Sequence, residues 1–252
     1  MLKTRLIPTL LLKNGRCIKT RQFDAARDTG DPVKASKIYD AQGADELLFL
    51  DITASNERRD ILFDIIQRVA EECFMPLTVG GGIRSMEDIR KILKMGADKV
   101  AICSAFVENP DFVNQASRTF GVSTIIGIVT YRRVDGKDKV FIHGKETETE
   151  QNVLTWAKEL EERGAGEILL YSIDHDGMMN GYDIDMIRQV TQSVSIPVIV
   201  CGGAGKLSDF VDAVQNANAS AVSAGSLFHF TDQNLIKTRA HMKNAGLAVR
   251  SV

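Results

Sequence analysis

The stretch PLTVGGGIRSMEDIRKILKMGADKVAICSAF, residues 76–106, decides the fold, because residues 197–228 say it again as PVIVCGGAGKLSDFVDAVQNANASAVSAGSLF. Each copy reads as an apolar strand, a glycine turn, an amphipathic helix, a second strand, and then a small residue followed by serine. The last glycines of the two turns, Gly82 and Gly203, stand 121 residues apart, and Ser104 and Ser226 stand 122 apart. That is about half of a 252-residue chain. The sequence therefore reads as two fused copies of one four-strand unit, covering about 1–121 and 122–252.

Working outward, eight short apolar runs alternate with helical patterns: LIPTLLL, ELLFLDI, PLTVGG, KVAICS, TIIGIVT, EILLYSI, PVIVCGG and AVSAGS. Such alternation predicts a parallel sheet, and eight strands predict closure into one (β/α)8 TIM barrel of the α/β class. The runs are continuously apolar rather than alternating, as expected for strands covered on both faces. Helix signals fall where the barrel needs them. Ser85 with Asp88 resembles a capping box, Gly96 follows Lys91–Lys94 as a C-cap, and Asn109-Pro110 opens a helix with proline in its first turn. Two insertions follow strands one and five. Residues 13–32 read as a long polar loop, and residues 132–148 as a small hairpin around Asp135-Gly136. Both lie at the catalytic end of such a barrel, where long loops act as lids.

A net charge of −2 gives no sign of nucleic acid or an acidic membrane as partner. The apolar run near the N-terminus is too short to span a bilayer or act as a signal peptide, which predicts a cytoplasmic protein. Cys17, Cys73, Cys103 and Cys201 lack C-x-x-C spacing and read as buried thiols. No spacing resembles a zinc site and no Ser-His-Asp set is visible, so neither metal nor cofactor is expected.

The repeated chemistry is a pair of anion cradles. Glycine turns let a phosphate approach backbone N–H groups. Gly81, Gly82, Cys103 and Ser104 would build one cradle, and Gly202, Gly203, Gly225 and Ser226 the other, which suggests a ligand with two phosphates. The alternative is that these glycines only make tight barrel turns. Asp51, Asp174 and Asp176 follow strands two and six and could move protons, or in the case of Asp174 and Asp176 cap the turn before Gly177. His175 between them reads as a loop residue. At the opposite ends of the strands stand Arg5, Glu46, Lys99 and Glu167, a set that could close the barrel floor as an ion-pair network.

With those residues in view, the chain resembles the cyclase subunit (HisF) of imidazole glycerol phosphate synthase over nearly its whole length. The carrying strings include GRCIKTRQFDAARDTGDP, DELLFLDITAS, VGGGIR, RGAGEILLYSIDHDG and GGAGK. A sugar-phosphate isomerase of the same pathway shares the half-barrel repeat but lacks the loop-one string. The resemblance implies that the two cradles are phosphate grips, with Asp176-Gly177 contributing to one. It implies that Lys19 on a mobile first loop contacts substrate. It also implies that Arg5, Glu46, Lys99 and Glu167 form a gate for ammonia from a docked glutaminase subunit (HisH-like), with Asp98 on the docking face.

One departure matters. The family's first strand carries a catalytic aspartate where this chain has Leu11, and its symmetry mate on strand five falls on Thr130. Neither exchanges a proton near neutral pH, which leaves Asp51 or Asp176 as the acid–base candidate. Tyr171 and Cys201 stand where smaller hydroxyl residues are usual, and Cys103 where asparagine is usual. The chain thus resembles HisF-like paralogues of surface-polysaccharide pathways, in which ammonia serves an amidino-sugar reaction. Three functions follow as expectations: a synthase subunit delivering ammonia to a phosphorylated acceptor, the histidine-pathway cyclase itself, or a non-catalytic activator of the glutaminase.

Overall fold

The computed structural model describes residues 3–54 and 63–251. In chain order its elements are β1 (Arg5–Lys13), β2 (Arg16–Arg21), β3 (Asp24–Gly30), α1 (Pro32–Ala41), β4 (Leu47–Asp51), α2 (Phe63–Glu72), β5 (Leu77–Gly80), α3 (Met86–Lys94), β6 (Lys99–Ile102), α4 (Ser104–Glu108) and α5 (Asp111–Phe120). The second half holds β7 (Ile125–Val134), β8 (Lys137–Ile142), β9 (Thr147–Asn152), α6 (Val153–Glu162), β10 (Glu167–Ser172), α7 (Ile184–Ser193), β11 (Val198–Cys201), α8 (Leu207–Gln215), β12 (Ala221–Ala224), α9 (Ser226–Phe230) and α10 (Leu235–Asn244).

Eight strands pair in parallel in the order β10-β11-β12-β1-β4-β5-β6-β7, and β7 pairs with β10 to close the barrel. This is the (β/α)8 architecture that the alternating pattern predicts. Two apolar cores explain the continuous strand runs. Leu6, Leu10, Val79, Val100 and Leu170 face the helices, while Ile7, Leu48, Ile126, Leu169 and Ile199 fill the barrel itself. The buried apolar residues of the eight barrel strands therefore meet one core or the other.

The two halves also repeat their helix starts. Ser85 accepts a bond from Asp88 N–H, and the Asp88 carboxylate accepts one from Ser85 N–H, a complete capping box at α3. One repeat later, Asp209 accepts from Gly205 N–H at 2.8 Å and Lys206 N–H at 3.0 Å. Gly96 follows α3 at φ 104, as a helix stop requires. Pro110 sits at the N-cap of α5, one residue ahead of the expected first turn.

The expectation of a long loop over residues 13–32 is corrected. β2 folds back antiparallel onto β1, pairing Leu11 with Ile18 and Leu12 with Cys17, and β3 then pairs with β2. Cys17 and Ile18 are buried, so this segment has an apolar side despite its polar composition. The hairpin at 132–148 is present, turning at Asp135-Gly136, and gains a third strand in β9. Among the described residues, no helix is long and apolar enough to cross a membrane.

Candidate functional site at the two ends of the barrel

The C-terminal ends of the strands open into a cavity of about 820 Å3. Its rim carries the first predicted cradle, Gly81, Gly82, Cys103 and Ser104, and its floor carries Leu11, Leu50, Ile128 and Thr130. Gly81 is required by the chain itself, since a Cβ there would lie 2.0 Å from the Asp51 carbonyl oxygen at φ +100. The Ser104 hydroxyl accepts from His143 N–H at 3.0 Å, which ties the turn between β8 and β9 to the cradle. Arg84 lines the cavity with its Nε donating to the Gly82 carbonyl at 3.3 Å. Cys103 contacts the Thr130 hydroxyl at 3.7 Å, and burial pushes its thiol up to about 11, so it is a neutral packing group at neutral pH.

The second cradle is also assembled, but the chain fills it. Gly202, Gly203, Gly225 and Ser226 surround a space of only about 20 Å3 together with Lys19, Tyr171, Asp176 and Gly177. Lys19 sits on β2 with its side chain buried, and its ammonium donates to the Thr9 carbonyl beside Gly225. Burial lowers this amine to about 8, against the opposing pull of Asp176. Asp176 accepts from the Thr20 hydroxyl at 2.6 Å and the Tyr171 hydroxyl at 2.8 Å, and more distantly from Phe23 N–H. Burial raises the Asp176 carboxyl, although those bonds and Lys19 work the other way.

The Asp51 carboxylate accepts from Thr53 and Ala54 N–H at 3.2 and 3.1 Å at the edge of the large cavity. Asp174 pairs with Arg132 at 2.8 Å, and His175 bonds Ser172, consistent with a loop role.

Residues 5–234 match the family model described as histidine biosynthesis protein. The chain belongs to that family. Its members are usually barrel enzymes of the isomerase or cyclase type.

At the other end of this histidine biosynthesis barrel, the four floor charges meet. Arg5 donates to Glu46 at 2.8 Å and to Glu167, while Lys99 reaches Glu46 at 3.0 Å and Glu167 at 2.7 Å. Each cation bridges both acids, so the ring is fully paired. Burial alone would raise Glu167, but the bonds and charge of Arg5 and Lys99 hold it below its ordinary value. Thr78 donates to Glu46 from within the barrel. Asp98 is exposed beside the ring, and its carboxylate accepts from Leu77 N–H at 2.8 Å. Phe74 on the same face is 90% exposed.

Sequence reasoning put the cradle glycines and the floor charges at opposite strand ends, where they stand, but expected Lys19 on a mobile loop and not on strand β2. It missed Phe23, whose ring meets Tyr171 edge-on at 4.9 Å, and Thr20, which binds Asp176. It also missed His143 and Lys145, and Lys145 pairs with Asp24 across the cavity mouth. No local signal marks these residues, because each is brought in by a hairpin folding over the barrel.

Proposed function

We propose that the chain is a HisF-like synthase subunit. It takes ammonia from a glutaminase docked on the barrel floor and delivers it to a phosphorylated acceptor in the upper cavity. The reading places it in surface-polysaccharide biosynthesis of the amidino-sugar type. What carries this reading is the combination of a complete floor ring with a cavity whose two expected aspartate positions hold Leu11 and Thr130.

The physical logic runs from floor to mouth. A ring in which two cations bridge two acids seals the barrel against water and ions, and swinging one cation aside opens a path for a small neutral molecule. Beyond it the interior is apolar, with Ile7, Leu48, Ile126 and Leu169, and neutral ammonia crosses such a layer at far lower cost than ammonium. Ammonia then attacks the acceptor's electrophilic carbon, and its surplus proton leaves with the displaced group. Asp51 borders that cavity at the end of β4, with Asp24, Glu108 and Glu146 on its lining as well, while Asp176 lies behind Tyr171. Asp98 and the exposed Phe74 supply a polar and an apolar contact for the docked partner.

A second reading, a non-catalytic activator of the glutaminase, draws on the bonds that commit Asp51 and Asp176 to the chain's own groups.

The test is ammonia-driven turnover of the family's bis-phosphorylated aminoimidazole precursor by the isolated chain, beside stimulation of the glutaminase. Removal of a general acid–base group costs about 10²–10⁴ in rate, so ring closure should fall at least that far below an ordinary cyclase. Turnover within about tenfold of one would hand the assignment to the histidine-pathway cyclase. Glutaminase stimulation without any ammonia transfer to a sugar acceptor would favour the activator.

A further inference from the structure

We propose that the acceptor carries one phosphate, seated at Gly82 and Ser104, because Lys19 fills the second cradle and Tyr171 with Phe23 walls it off. The inference rests on the reading above that the ligand is phosphorylated.

The two cradles are symmetric in sequence and unequal in space. The first opens into about 820 Å3, within the range of small-molecule pockets. The second encloses about 20 Å3, room for about one water and not for the four oxygens of a phosphate. Its glycines are already approached by the chain. A Cβ on Gly177 would lie 2.0 Å from the Thr20 carbonyl oxygen, one on Gly203 2.1 Å from that of Gly181, and one on Gly225 2.0 Å from Lys19 Nζ.

The first hairpin pins Lys19 in the second cradle. To leave it, Lys19 would have to abandon the Thr9 carbonyl, and the hairpin that carries it would have to release Asp176. The same hairpin is also held by Gln22, whose backbone N–H donates to the Asp176 carbonyl at 2.8 Å and whose side chain donates to that of Asp174 at 3.1 Å. Tyr171 lines both spaces and so stands between them. Its hydroxyl is anchored on Asp176, and its ring is buttressed by Phe23, so a ligand spanning both cradles meets a wall.

The first cradle has what a phosphate needs. Ser104 accepts from His143 N–H, which leaves its hydroxyl proton to donate beside the backbone of Gly82. Below it, Leu11, Leu50 and Ile128 present an uncharged floor. The ligand class is a monophosphate ester with an uncharged, partly apolar body.

Equilibrium dialysis of the full chain against radiolabelled inorganic phosphate tests this, with competition by ribose 5-phosphate and ribulose 1,5-bisphosphate. One equivalent is expected at saturation, weakened about tenfold by Ser104→Ala, the size of one hydrogen bond to a charged group. The two sugar phosphates should compete within about threefold of each other once the shared phosphate is the anchor. Two equivalents, or a bisphosphate favoured about a hundredfold, would overturn the proposal. So would a single equivalent weakened by Lys19→Ala and indifferent to Ser104→Ala. No phosphate binding at all would remove the phosphorylated acceptor too, while glutaminase stimulation would still report separately on the docked subunit.

Discussion

Leu11 and Thr130 sit on the floor of the large cavity, and between them they set what that cavity can do. A leucine and a threonine there carry no charge and exchange no proton near neutral pH, so the floor favours an uncharged ligand body and any proton must move elsewhere. Lys19 carries the opposite lesson. Its amine is lowered to about 8 by burial, from an ordinary value of 10.5. Below about pH 8 it is charged in both the folded and unfolded chains, and the burial penalty is in full force. Between about 8 and 10.5 the folded chain has released the proton and the unfolded chain has not, so stability rises with pH across that window. Lys19→Met should therefore stabilise the chain at pH 7 by up to ~3 kcal/mol, with the gain shrinking toward pH 10.5. Urea unfolding of both proteins at several pH values measures it, and a gain that does not change with pH would mean that Lys19 is not a buried ammonium. Nothing in the string RCIKTR says that this lysine points inward, because the hairpin that turns it inward is stabilised by distant residues.

The hairpins show where an element is legible and where it is not. Asp135-Gly136 turns β7 into β8 with φ of 48° and 76°, and the dipeptide announces that turn in the sequence. The first hairpin has no such signal. Its tip holds Gln22, Phe23 and Ala25 at φ of 51°, 60° and 49°, conformations that side chains adopt at a cost of about 1–3 kcal/mol each when surroundings impose them. Here the surroundings are Asp174 and Asp176, which accept bonds from Gln22 and Phe23. A loop reading was the natural one for such residues, and tertiary contacts overrode it. Gly177→Ala should test the latch, since the new Cβ would strike the Thr20 carbonyl at a φ of +68. Hydrogen exchange should show β2 and β3 losing protection by about tenfold or more while the other barrel strands keep theirs. Equal protection in both proteins would show that the hairpin does not depend on this approach.

For the whole molecule, the floor ring ties together strands remote in sequence. Glu46 and Glu167 occupy equivalent places in the two halves, 121 residues apart, whereas Arg5 and Lys99 have Ile126 and Ser220 at the same offset. The anions follow the internal repeat and the cations break it. Replacing one anion leaves two cations facing a single acid, so Glu167→Gln should destabilise the chain by about 2–4 kcal/mol. Adding Lys99→Met should restore part of that loss, because the surplus charge leaves with it. Chemical unfolding of the two single variants and the double variant gives the coupling, and strict additivity would show that the ring does not act as a unit. The barrel itself was readable from eight apolar runs and one repeat, since strand period, helix caps and glycine turns are local matters. The places of the cradle glycines and of the floor charges were readable for the same reason: each stands at a strand end. The unequal size of the two cradles, the wall of Tyr171 and Phe23, and the inward course of Lys19 were decided by the tertiary structure alone. They arise from hydrogen bonds and packing between residues some 150 positions apart, such as Thr20 with Asp176, and such contacts exist only once the barrel has closed.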